Sequence, residues 1–443
     1  MCSVATAGCV GLCLAARAEV SANIDGYVRP YVQTLNFSGI VLVERNDSRV
    51  FERAYGLAHR DRGARNGPAT RFHIASMSMQ FTAAAILRLV DKSQLSLDEH
   101  VAAYAPDIPG ADRITIRDLL EERSGLPDIN ALPDYNEILQ QHQTPQTLVA
   151  KIARKPLQFE PGTKFLREEH SAYNLLALIV EEKTGLPFAT AMEKLVFRPA
   201  GLVHTSIDDD AAVPHAAKGY APEGIDDLTA APAIHWSAKT GNASVCTTAE
   251  DEAKWVRTLI HGNLLSESSR KAMFDTALDT GYGWFKRENR QIGEPAFYMN
   301  GRAPGFSSFV MYLPAEDLTV VVLSNIYSSA TTTIGYDVAR IALGRRVEPA
   351  DLGAPMPPGE LESYTGVFAF GPDFYQKNAR LFLKPGDRYV SLVWPLGNIS
   401  VLIPMGKDRF IDRSYWEPVS IERDASGAAV ALRYGQFRGA AVR

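Results

Sequence analysis

The sequence predicts a mixed α/β domain followed by a small all-β domain, and three observations carry that prediction. Strand-like segments at 38–60 and 306–324 bracket a middle that reads as mostly helical, so one sheet has to be assembled from distant parts of the chain. A composition break at 349–359, PADLGAPMPPG, places four prolines and two glycines in eleven residues, the makeup of a linker. Beyond it come short alternating apolar runs separated by turn residues, the pattern of a small barrel or sandwich.

In chain order, residues 1–18 hold an apolar stretch from Val4 to Ala16 and then Ala16-Arg17-Ala18, a small-x-small pattern suited to cleavage before Glu19. The expectation is a signal peptide and an exported, periplasmic or extracellular protein; without a signal the protein would be cytoplasmic. The run is too short to span a bilayer. Three of the four cysteines, Cys2, Cys9 and Cys13, fall inside it, so a cleaved chain would keep only Cys246 and form no internal disulfide. SGIVLVERNDSRVFERAYGLAHR at 38–60 alternates about a polar Asn46-Asp47-Ser48 turn and reads as a hairpin. From Phe81 to Val90 the apolar residues are nearly continuous, which suits a helix buried at the centre of a domain, with Ser76 at its N-terminus. A helix from about Ser171 to Lys183 ends at Gly185. FSSFVMYLPAEDLTVVVLS at 306–324 gives two strands about Pro314-Ala315-Glu316-Asp317, and a helix follows from about Ala330 to Leu343. In the last segment the runs at 381–383, 389–394, 400–404, 419–423 and 429–434 are the predicted strands. The expected division is 19–348 for the α/β domain, 349–359 for the linker and 360–443 for the β domain.

At 443 residues and 46% hydrophobic content the chain can bury large cores. Its net charge of −5 comes from mixed charges without long single-sign runs. That leaves neither a nucleic-acid footprint nor a polybasic membrane patch, so a small-molecule substrate is the expected partner and no cofactor is assigned. A metal is not assigned either: Glu168, Glu169 and His170 are adjacent on one loop, and neighbours of that kind rarely converge on one ion.

Residues 72–90, FHIASMSMQFTAAAILRLV, resemble the nucleophile helix of serine β-lactamases and penicillin-binding proteins, and the likeness runs from about Phe37 to Leu343. It is carried by SGIVLV, the AYG at 54–56, TRFHIAS at 70–76, ITIRDLL at 114–120, SGLPD at 124–128, FEPGTKF at 159–165, NLLALIVEEKTG at 174–185, TTAEDEAKW at 247–255 and PGFSSFVMYLPAEDLTVVVLSN at 304–325. The resemblance implies an antiparallel sheet flanked by helices, with a helical subdomain closing over the site. The segment from Leu361-Glu362-Ser363-Tyr364-Thr365-Gly366 resembles the lipocalin-like domain that follows the catalytic domain in some members.

The resemblance also implies three catalytic stations, and each is altered. In Ser-x-x-Lys, Ser76 is present and Met79 replaces the lysine that would share a helix face with it. At the Tyr-x-Asn station stand Glu168, Glu169 and His170, on a loop one residue longer than usual; at Lys/His-x-Gly stand Met299, Asn300 and Gly301. Glu121-Glu122-Arg123 replaces a frequent Thr-His-Thr, and Arg302 takes a place usually held by a small residue whose N–H serves the oxyanion hole.

Three readings follow. In a pseudoenzyme, acids and bases drift, Met79 and Met299 fill space, and the pocket holds no organised polar pairs. In a remodelled enzyme, Glu168 or His170 is the acid or base, supported by Glu169, Glu122 and Arg123, and Met79, Met299, Asn300, Gly301 and Arg302 line the substrate pocket. In an unusual esterase or amidase, Ser76 attacks, His170 is its base, and Glu168 or Glu169 orients the histidine. The bland alternatives are solvated carboxylates at 168–169, a helix-capping His170, a Ser76 kept as a helix N-terminal residue, and a His73 that belongs to a strand. The preferred reading is the remodelled enzyme, with neither ordinary β-lactamase nor DD-peptidase activity.

Overall fold

The computed structural model describes residues 5–442 apart from 168, 211, 275–279, 290–291, 350–351, 353–355, 357 and 396. Helix α1 (Ala5–Gln33) begins inside the expected leader and continues past it. Its later turns bury Ile24, Tyr27, Val28 and Tyr31. No helix among the described residues is long and apolar enough to cross a membrane.

Strands β1 (Gly39–Arg45) and β2 (Ser48–Tyr55) form the expected hairpin. Asn46 and Asp47 both take positive φ, 49° and 55°, as a two-residue turn matched to strand twist requires. The remaining strands of the sheet come from the far end of the domain: β3 (Thr280–Gly281), β4 (Trp284–Asn289), β5 (Glu294–Ala303), β6 (Phe306–Leu313) and β7 (Leu318–Ser324). The sheet order is β3-β4-β5-β6-β7-β1-β2. It closes where β1 pairs antiparallel with β7, Gly39 opposite Ser324 through Arg45 opposite Leu318. The prediction of one sheet built from distant segments is met.

Four helices support it: α2 (Met79–Asp91), α3 (His170–Thr184), α4 (Ala249–His261) and α5 (Ala330–Ala342). Nine consecutive α2 positions from Met79 to Leu87, together with Leu89, are buried, which is why its sequence lacks an amphipathic stripe. Helix α4 fixes its start. Gln80 donates from Nε2 to Glu252 Oε1 at 2.8 Å and accepts from Trp255 Nε1 at 3.0 Å, while Phe81 stacks on Trp255 at 4.5 Å.

The C-terminal segment forms a closed eight-stranded barrel, β8 (Gly366–Ala369), β9 (Arg380–Pro385), β10 (Val390–Val393), β11 (Ile399–Pro404), β12 (Arg409–Asp412), β13 (Pro418–Arg423), β14 (Ala429–Tyr434) and β15 (Phe437–Ala441). The sequence patterns anticipated five of these strands and missed β8, β12 and β15. The barrel has its own core, including Leu381, Leu392, Leu402 and Leu432. It is joined to the α/β domain by the buried Arg413, which donates to Asn36 Oδ1 at 3.0 Å and to the carbonyls of Leu35 at 3.2 Å, Glu223 at 3.2 Å and Asp227 at 3.1 Å. Ile403 and Trp416, on the barrel, pack into the main core rather than the barrel's own.

Candidate functional site

A strained turn holds Ser76. The short strand Phe72–His73 pairs with Val245–Thr247, the chain then turns through Ala75 at φ 50°, and a 3-10 turn over Ala75–Ser78 leads into α2. A positive φ at a non-glycine residue costs on the order of 1–3 kcal/mol and persists only where its surroundings impose it. Here they do: Ile74 N–H donates to Val245 O at 3.1 Å, Ser308 Oγ donates to Ile74 O at 2.6 Å, and Ser78 Oγ accepts from Val245 N–H at 3.0 Å. Gly301 of β5 lies directly against this turn. A Cβ there would stand 2.4 Å from Ile74 O and 2.8 Å from Ser76 N, so only glycine permits the approach. The serine and its backbone N–H are thus presented beside the inner strand.

No base on a described residue hydrogen-bonds Ser76 Oγ. Met79 and Met299, expected to line a substrate cavity, are instead packed into the main core at 0% and 1% exposure. Arg302, also expected in the pocket, is turned the other way. Its guanidinium donates to Ser414 O at 2.9 Å and Ser329 Oγ at 3.3 Å and lies between Tyr327 and Tyr415, 4.5 and 4.2 Å from the ring centres, so it belongs to the seam with the barrel. Of the expected pocket residues, Gly301 meets Ser76, and Asn300 beside it receives Arg167 Nη2 at 3.4 Å from the loop ahead of α3.

That loop redistributes the expected roles. Glu168 lies outside the described residues. Glu169, expected to support or orient His170, turns inward: fully buried, its Oε2 accepts from Ser124 N–H at 3.2 Å, and its Oε1 has no hydrogen bond to a described residue. Burial pushes Glu169 up to about 7, against the opposing pull of the Ser124 hydroxyl and the N–H groups of Ser124, Gly125 and Leu126. Glu122, at φ 56°, is buried, and its carbonyl receives Leu166 N–H at 3.0 Å. Arg123 donates to Gly162 O and stands 3.7 Å from Glu121. Glu122, Arg123 and Glu169 therefore shape the loops around the site.

His170 opens α3 with its Nδ1 3.2 Å from Asp128 Oδ1. Ser171 brings the two together, donating from Oγ to Pro127 O at 2.6 Å and accepting Ile129 N–H at 2.8 Å. Asp128 also caps a short turn, taking Asn130 N–H at 3.1 Å. Lys239, buried and hydrogen-bonded to Tyr135, joins the same group. Burial pulls its amine down to about 8 against the attraction of Asp128. The carboxylate that holds His170 is therefore Asp128 and not Glu169. In the sequence Asp128 stands out only as part of the scaffold segment SGLPD, and neither Lys239 nor Tyr135 belongs to a motif; a lone lysine in the otherwise uncharged run AIHWSAKTGNASVC is the one hint the chain offers.

His73 sits on a strand, as its alternative reading held, with Nε2 2.8 Å from Asp208 Oδ2 and its ring stacked on Trp236 at 3.7 Å. Among the described residues one group has metal-ligand geometry, His142, Asp210 and His235, which is separate from the loop at 168–170.

A family model described as Beta-lactamase matches residues 24–343. The chain is 29% identical over 302 residues to a putative penicillin-binding protein, PbpX, of Bacillus subtilis (strain 168), covering 68% of this chain and 73% of that one. Among solved structures, a penicillin-binding protein from Bacillus halodurans is similar with a TM-score of 0.62 and 26% identity, covering 72% of this chain and 98% of that one. An octameric penicillin-binding protein homologue from Pyrococcus abyssi superposes over 94% of this chain and 99% of that one, with a TM-score of 0.66 and 19% identity, so its likeness in fold takes in the barrel.

Proposed function

Because the chain belongs to the Beta-lactamase family, we propose that it is an enzyme acting on a small carbonyl substrate, with acid–base work moved from position 79 to His170 held by Asp128. The observation that carries this reading is the group around Asp128. His170 meets the Asp128 carboxylate directly, and a buried lysine pulled down to about 8, hydrogen-bonded to the half-buried Tyr135, lies within reach of its charge, the kind of organised polar arrangement that drift alone does not maintain. The strained turn at Ala75 and the close approach of Gly301 support a carbonyl as the substrate's reacting group. They keep the Ser76 N–H beside β5, where a donor can stabilise developing negative charge.

A second reading rests on the same turn: Ser76 is still presented at a strained elbow, so it can form an acyl-enzyme with His170 as base. One experiment tests both. A panel of p-nitrophenyl esters, thioesters, lactones and amides is assayed with the parent chain and with Ser76→Ala, Glu168→Gln and His170→Ala, alongside labelling by a fluorescent fluorophosphonate. Loss of general acid–base help is expected to lower kcat by about 10²–10⁴ in His170→Ala. A parent with no turnover on the whole panel, or turnover unchanged in His170→Ala, sinks the proposal. Stable labelling that vanishes in Ser76→Ala selects the acyl-enzyme form, and absent labelling with intact turnover selects the form without one.

A further inference from the structure

Three separate loops bring His142, Asp210 and His235 together. His142 lies between the short helices Tyr135–Leu139 and Pro145–Ile152, Asp210 follows the short strand Ser206–Ile207, and His235 leads into the 3-10 turn Trp236–Lys239. Nδ1 of His142 stands 2.8 Å and Nδ1 of His235 3.1 Å from the same oxygen, Asp210 Oδ2, and the three candidate ligand atoms lie within 4.8 Å of one another. We propose that these residues form a binding site for a divalent transition-metal ion, of which Zn²⁺ is the best match, outside the turn that carries Ser76 and the His170–Asp128 pair.

The donor set sets the ion class. Two imidazole nitrogens and one carboxylate oxygen suit Zn²⁺ and its neighbours, whereas Mg²⁺ and Ca²⁺ take all-oxygen shells. With metal–ligand bonds of about 2.0–2.1 Å in a tetrahedron, ligand atoms stand roughly 3.3 Å apart. The two imidazoles therefore need to retreat from Oδ2 by a few tenths of an ångström and to settle about 3.3 Å from each other, within the 4.8 Å that bounds the three ligand atoms; both side chains are solvent-accessible and free to turn. Water takes the fourth position.

The carboxylate is already aimed. Asp210 adopts φ 75°, unusual for a residue with a side chain, and Ser237 fixes its carboxylate by donating from Oγ to Oδ2 at 2.5 Å and from N–H to Oδ1 at 3.2 Å. Such outer hydrogen bonds orient metal-ligating carboxylates. The ion would tie the His142 loop to the segment that carries Trp236, stacked on His73, and Lys239, close to Asp128.

The test uses the full chain freed of metal with a chelator and titrated with Zn²⁺ against a chromophoric competitor, with Co²⁺ as a spectroscopic probe. One equivalent of Zn²⁺ per chain is expected, together with Co²⁺ visible bands of tetrahedral type, a Tm raised by saturating Zn²⁺, and weaker binding at lower pH as protons compete for the imidazoles. In the double variant His142→Ala/His235→Ala, affinity is expected to fall at least about a hundredfold and the Tm rise to disappear, with Asp210→Asn intermediate. The metal-free Tm is the folding control, and His142→Gln alone serves if the double variant unfolds. Equal stoichiometry and affinity in parent and variant would overturn the site, as would no Zn²⁺ binding at micromolar concentration or displacement of Zn²⁺ by millimolar Mg²⁺ or Ca²⁺.

Discussion

Glu169 shows how the site's loops depend on protonation. Its carboxyl, raised to about 7 from an ordinary 4.5, is protonated in the folded chain where the unfolded chain has already released the proton. Stability is therefore fully present below about pH 4.5 and is lost as pH rises through 7, with the slope confined to that window. Glu169→Gln keeps an oxygen for Ser124 N–H but cannot ionise. It is expected to flatten this part of the stability–pH curve and to gain on the order of 3 kcal/mol at pH 8. Urea midpoints measured from pH 4.5 to 8 check this, and a variant with the parent's slope would refute it. From the sequence, Glu169 is one of two adjacent loop carboxylates and is expected to support or orient His170. The inward turn of Glu169 is held by the N–H groups of 124–126, about 45 residues away in sequence.

The decisive element is the crossing of β5 over the turn that holds Ser76. Gly301→Ala drives a Cβ to 2.4 Å from Ile74 O, and backbone on both sides leaves nothing flexible to yield. Overpacking of this kind costs about 1–3 kcal/mol. The urea midpoint is expected to fall accordingly, and ester turnover is expected to fall further than stability because the Ser76 N–H is displaced; an unshifted midpoint would argue against the close approach. Elements with strong local signals were legible: α2 from its continuous apolar run, the β1–β2 hairpin from Asn46-Asp47, and α3 from its stop at Gly185, which takes φ 65°. The two-residue strand Thr280–Gly281 and the charged strand WFKREN lack an alternating signature and become strands only by pairing along the sheet edge.

Across the whole molecule, Arg413 makes the barrel part of one structure with the α/β domain. Its guanidinium satisfies carbonyls on three segments in the interior, and burial pulls it down to about 10 despite Asp226 and Asp227. Arg413→Ala leaves those acceptors without a donor, a loss of about 1–3 kcal/mol for each carbonyl that stays buried and unsatisfied. Scanning calorimetry is expected to replace one cooperative transition with two, the barrel and the α/β domain melting separately. A single transition at the parent's Tm would show that Arg413 does not couple them.

The sequence by itself determined the family, the sheet assembled from both ends of one domain, the all-β C-terminal segment, and the absence of a lysine at position 79, because each is written in local periodicity, turn residues or an aligned motif. Only the tertiary structure decided which side chains meet. It buried Met79 and Met299 in the core, gave Arg302 to the barrel, and drew Glu169 under the 124–126 loop. It also set Asp128 against His170 and gathered His142, Asp210 and His235 from three loops. The physical reason is that periodicity records which face of an element avoids water, whereas the partner of a charged side chain is fixed by long-range packing, through backbone N–H groups and carbonyls that carry no signature in the sequence.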